Sequence, residues 1–127
     1  MDIRERIITK TAIYFKENVL DDLCLFMENI LDYQKICLRE SLKTLKKTAE
    51  DIQFNFRIYL DDRTVDEEIG KEFLIMKTMI EDEIVADFED KLNKQKFMEN
   101  IHPGLQFQLI YVLDNIVHEE LDKVYNE

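Results

Sequence analysis

Tryptophan is absent, proline occurs once and glycine twice in a chain of 127 residues. Loops and hairpins depend on residues that tolerate φ > 0 or hold φ fixed. Their scarcity excludes a turn-rich β fold and points to long, uninterrupted helices. Cysteine is equally rare. Cys24 and Cys37 stand in one expected helix, separated by roughly 20 Å at ~1.5 Å per residue, beyond disulfide reach. Two reduced thiols acting as small apolar residues in a cytoplasmic protein are the expectation. No apolar run approaches the ~20 residues needed to span a bilayer. The opening MDIRERIITK also lacks the apolar core of a signal peptide, so no membrane association is expected.

What the chain does have is acid and apolar bulk. Asp and Glu number 28 against 17 Lys and Arg, a net charge of −11, and 46% of residues are hydrophobic. The apolar fraction is that of a folded chain, and the length suits a single domain spanning residues 1–127. Phosphate binding needs clustered cations, so direct nucleic-acid binding is disfavoured and a basic partner is favoured.

Apolar spacing then divides the chain. A first helix is expected from about Asp2 to Glu17, carrying Ile3, Ile7, Ile8, Ala12 and Phe15, with Asn18 as a left-handed stop. Cys24, Leu31, Leu38, Leu45, Ile52 and Tyr59 recur every seven residues. With Met27, Leu42, Ala49 and Phe56 they form one seam from Leu20 to about Leu60, predicting one long helix rather than two. DDRT at 61–64 reads as a turn, with Thr64 and Glu67 as a capping box. The next helix carries Ile69, Phe73, Met76, Ile80, Ile84, Phe88 and Leu92, and frays through LNKQKFMEN. His102-Pro103-Gly104 reads as a helix start, because the residue before proline leaves the α region and proline suits the first helical position. LQFQLIYVL after it is apolar nearly all round, as expected of a central buried helix. The fold class is all-α, an antiparallel bundle of four to five helices including one long helix.

The candidate chemistry is thin. Glu99 and His102 match the Glu-x-x-His spacing of di-iron bundles, but only one such pair exists, so chance explains it. Asp114, His118 and Asp122 share a helical face and could hold a metal weakly; the competing reading is a solvated cluster. With two histidines no three-His zinc site can be assembled, and no phosphate loop, nucleophile elbow or Cys-x-x-Cys is present. No catalytic residue, metal or cofactor is therefore assigned.

Charge is more informative. Residues 61–90 hold twelve acids against three bases, a net of −9, while Lys35, Arg39, Lys43, Lys46, Lys47 and Arg57 make the middle of the long helix basic. One reading is a solvated face complementing its basic neighbour. The sharper one is a surface receiving a basic protein through Glu81, Glu83 and Asp87.

Two segments carry a resemblance. RERIITKTAIYFKEN, residues 4–18, resembles the first helix of TetR-family regulators. KFMENIHPGLQFQLIYVLDNIV, residues 96–117, resembles the loop and penultimate helix of that family's ligand-binding domain. The two cover under a third of the chain. Where the family places a glycine turn and a helix-turn-helix, this chain has VLDDLCLFMENILDYQK, with neither turn glycine nor basic reading residues. The resemblance implies a ligand-binding and dimerising body without its DNA reader. It would carry an internal apolar pocket and a homodimer seam on the last helices, including Leu105, Leu109, Leu113 and Ile116.

The functional expectation is a cytoplasmic, non-catalytic regulatory or protein-interaction module, dimeric, with a small apolar ligand between its helices. The competing expectation is an acidic inhibitor or immunity-type protein whose 61–90 helix engages a basic protein surface. A carboxylate–histidine metal enzyme is the third.

Overall fold

The computed structural model describes residues 2–11, 17–57 and 61–127, and within them the chain is helical with no strand. Five helices follow in order: α1 (Ile3–Thr11), α2 (Glu17–Phe56), α3 (Asp62–Asn93), α4 (Lys96–Glu99) and α5 (Pro103–Tyr125). The expected all-α bundle with one long helix is what forms.

Helix α2 runs unbroken for 40 residues, about 60 Å, because nothing in it interrupts the backbone ladder. Its break comes only after Phe56. One expected boundary shifts: Asn18 lies in the first turn of α2 rather than at a left-handed stop; the expected continuation of the first helix over 12–16 lies outside the described residues. Ala12 and Phe15 of the first expected seam, and Tyr59 and Leu60 of the second, lie outside the described residues.

The start of α3 also differs from expectation. The cap is Asp61, whose Oδ1 accepts from Thr64 N–H at 2.8 Å, and Thr64 sits inside the first turn. An aspartate brings a full negative charge to the positive end of the dipole, which a threonine hydroxyl cannot. Hydrogen bonds from Thr64 hold the Asp61 carboxyl below its ordinary range. The start of α5 is as expected: Pro103 occupies the first turn, and His102 is the cap, its Nδ1 accepting from Gly104 N–H at 3.1 Å.

Cross-helix contacts fix the packing. Gln34 with Ile84, and Gln53 with Asp66, show α2 and α3 running antiparallel. Lys35 with Glu120, and Arg39 with Glu127, show α5 running parallel to α2. The short α1 lies over α5 and the start of α2, held by Arg6 to Glu119 and Glu120 and by Arg4 to Asp21. These four helices and α4 enclose the core, where Ile7, Leu23, Met27, Leu38, Phe88, Leu92, Leu113 and Leu121 are wholly buried. Phe26 holds the joint with α3 and α4, its ring centroid 6.0 Å from those of Phe88 and Phe97.

The end of α5 lies beside Arg39 of α2 and Lys77 of α3. Beyond that level α2 and α3 continue alone as a two-helix arm of about 25 Å. Ile52 and Phe73 lie in its interior, and Arg57 ties its tip to Asp62 and Asp66.

Candidate interaction surface

Helix α3 carries an apolar row patterned for burial, yet the middle of the helix is only partly covered. Val65 at its start and Phe88 and Leu92 near its end are inside, whereas Ile69, Phe73, Met76, Ile80 and Ile84 are half-buried. The reason is coverage. Helix α5 closes one side of the α2–α3 pair as far as Arg39 and Lys77; the other side has no helix on it among the described residues.

That open side is a groove. Two clefts of about 330 and 210 Å³ run into one another there, sharing Ser41 and Ile80. Tyr33, Gln34, Cys37, Thr44 and Thr48 form the α2 wall. Met76, Ile80 and Ile84 form an apolar strip along α3. Ile36 and Met79 stand more than half exposed on these helices. The carboxylates of Glu40, Glu83 and Asp87 line the groove, and Lys43 pairs with Glu40 at 3.3 Å. Lys91 closes one end, paired with Asp87 at 2.9 Å and seated 4.1 Å over the Tyr33 ring. A further cleft beyond it, along the same side of α2, is lined by Asp22, Phe26, Lys94 and Lys96.

Gln34 lies at the floor of the groove and is 1% exposed. Its Nε2 donates to the Ile84 carbonyl at 3.2 Å, while its Oε1 accepts from no donor among the described residues. The Thr44 and Thr48 hydroxyls are already spent on the Glu40 and Thr44 carbonyls. A hydrogen bond with the Cys37 thiol raises the Tyr33 hydroxyl above its ordinary value.

The three predicted partner-binding acids do not share one face. Glu83 and Asp87 line the groove. Glu81 points to the opposite side, against Tyr125 of α5, whose buried hydroxyl is raised first by burial and then by Glu81. The basic middle of α2 does not complement α3 as expected either. Lys35 and Arg39 pair with Glu120 and Glu127 of α5, and among the described residues only Arg57 of that set pairs with acids of α3. Among the described residues Glu72, Asp82 and Glu83 make no ion pair, so α3 keeps uncompensated negative charge.

The dimer seam expected on α5 is occupied within the chain. Leu109, Leu113 and Ile116 are 1%, 0% and 1% exposed and belong to the core; Leu105 is half-buried against it. These side chains point inward because α1, α2 and α3 all pack on that face. The segment expected to be buried all round instead turns Phe107 and Tyr111 outward, at 80% and 69% exposure.

The metal-like spacings also come apart. His102 spends its Nδ1 on the cap. His118 is exposed, while Asp114 turns towards Glu89 of α3; burial, then Glu89, pushes the Asp114 carboxyl up to about 7. Among the described residues no three Asp, Glu, His or Cys side chains converge on a metal position. Cys24 is buried, which raises its thiol above the ordinary value. No helix is long and apolar enough to cross a membrane among the described residues.

Gln34 and the groove escaped sequence reading. The signal available was one amide on the buried stripe of α2, level with the acid-rich stretch of its antiparallel partner. No family model, curated protein or solved structure matches this chain.

Proposed function

We propose that this chain is a non-catalytic protein-interaction module that receives a basic partner on the open face of the α2–α3 pair. One observation carries the reading: an apolar row patterned for burial is left half-covered on an acid-rich helix, beside Glu83, which makes no ion pair among the described residues. Apolar strips of this kind on a folded chain mark interaction surfaces, and uncompensated acid selects the sign of the partner. The self-pairing regulator has weaker support, because the leucines it would use are inside the subunit. Of the ligand space it would need, the gap between Leu45, Ile52, Phe73 and Met76 holds only about 10 Å³.

The test is affinity capture from the source cells with three baits: the parent chain, Glu83→Lys with Asp87→Lys, and Asp122→Lys on the far side of the bundle. A specific basic partner is expected with the first and third baits and not with the second. Capture of the same partner by all three would sink the reading.

A further inference from the structure

From the groove we infer that the docked element of the partner is an amphipathic α-helix of about four turns whose apolar row is flanked by arginine, one of which enters between Glu83 and Asp87 over Gln34. This rests on the interaction reading above and adds the partner's secondary structure and its recognition residue.

The shape comes from the fold itself. Helix α5 already lies along the α2–α3 pair on one side as far as Arg39 and Lys77, so that part of the pair seats a helix. The opposite side offers an apolar strip of Met76, Ile80 and Ile84 that continues past that level, with no element above it among the described residues. From Tyr33 to Thr48 the groove runs along four turns of α2, about 22 Å. An extended strand is a poorer occupant, because a groove walled by two helices presents no free backbone N–H or C=O to pair with it. Glycine and proline are absent from both walls between those levels, so the groove is a stiff, preformed receptor.

The charge comes from the lining. Glu40, Glu83 and Asp87 face the groove; Lys43 pairs with Glu40 at 3.3 Å and Lys91 with Asp87 at 2.9 Å, which leaves Glu83 as the carboxylate without a cation among the described residues. Glu83 and Asp87 are one helical turn apart, a spacing a single guanidinium can bridge. Below them the Gln34 Oε1 is an acceptor that folding leaves unused. Arginine fits all three acceptors, since its planar head carries five N–H donors on a long stem; lysine offers one compact head with three. A buried acceptor left without a donor is costly, so its completion by the partner favours arginine over lysine.

The experiment uses the full chain and three synthetic 18-residue peptides, read by fluorescence anisotropy. The first has leucine at helical spacing with arginine flanking; the second replaces arginine by lysine; the third scrambles the first. The first is expected to bind about tenfold tighter than the scramble. Glu83→Lys with Asp87→Lys should weaken it by at least about tenfold, and Asp122→Lys by less than about twofold. Gln34→Leu should weaken the arginine peptide several-fold while leaving the lysine peptide unchanged. Circular dichroism confirms that each variant keeps its helix content. Equal binding of peptide and scramble, both lost on charge reversal, would overturn the helix inference and leave the basic-partner reading standing. No binding of any basic peptide, with a lysate partner still captured by the parent bait, would overturn the inference alone. Binding that ignores Glu83 and Asp87, in peptide and lysate alike, would remove both.

Discussion

Replacing Glu120 by glutamine removes one charge from the place where three helices meet. Its carboxylate accepts from Arg6 of α1 at 2.8 Å, from Lys35 of α2 at 2.9 Å and from Lys123 of α5 at 2.8 Å. The Glu120 and Arg6 side chains keep only 14% and 11% exposure. Burial works against the charge, but hydrogen bonds from Lys123 and Lys35 outweigh it and hold the carboxyl at about 2, against an ordinary 4.5. That depression sets a ceiling of about 3.4 kcal/mol. Lys123 is 67% exposed, and glutamine keeps one acceptor, so screening reduces the expected loss to about 2 kcal/mol. For a domain of this size the midpoint should fall by roughly 7 °C. The sign with pH follows from the depressed value. The contribution is fully present above pH 4.5 and disappears as pH falls through about 2. Thermal unfolding followed by circular dichroism at pH 7 and at pH 2 reads both effects. Equal midpoints at pH 7, or a gap that persists at pH 2, would refute the account of this cluster.

Asp114→Asn has the opposite pH signature. Its carboxyl is raised to about 7, so the native form holds its proton and the chain loses stability as pH rises through that value. The variant should therefore be more stable than the parent at pH 8, by about 1 kcal/mol once solvent screening of a half-exposed group is allowed for, and equal to it near pH 4. Denaturant titrations at the two pH values measure this. Leu113→Ala should cost about 3 kcal/mol, with a midpoint independent of protein concentration because the residue is core rather than a subunit seam. His102→Ala removes the α5 cap and should cost about 1 kcal/mol in urea unfolding. Gly104→Ala should disturb the same cap, since its Cβ would come 3.2 Å from His102 Nδ1.

The helices were legible because apolar spacing and the scarcity of glycine and proline both speak locally. The seven-residue seam of α2 and the Pro103 start of α5 are local statements, and the structure has them where the residues place them. The cap of α3 fell three residues early because Asp61 and Thr64 are both good caps, and only the backbone's path chooses between them. The face of α3 was not legible at all. Periodicity marks which residues want cover; the number of helices available to cover them is a property of the assembled fold. The same gap explains the α5 leucines, whose pattern is equally suited to a neighbour in the same chain or in another. Gln34 and Ile84 lie fifty residues apart, and only antiparallel packing brings them together.

Past the last turn of α5 the molecule is a cantilever two helices thick, anchored at one end. Residues there shed their cover on a single opening event, so amide exchange should quicken from the trunk towards Arg57 while the backbone around Leu23 and Leu121 stays closed. Anything that clamps the open groove would brace the lever near its root, and its arrival would register as slower exchange far out at the free end.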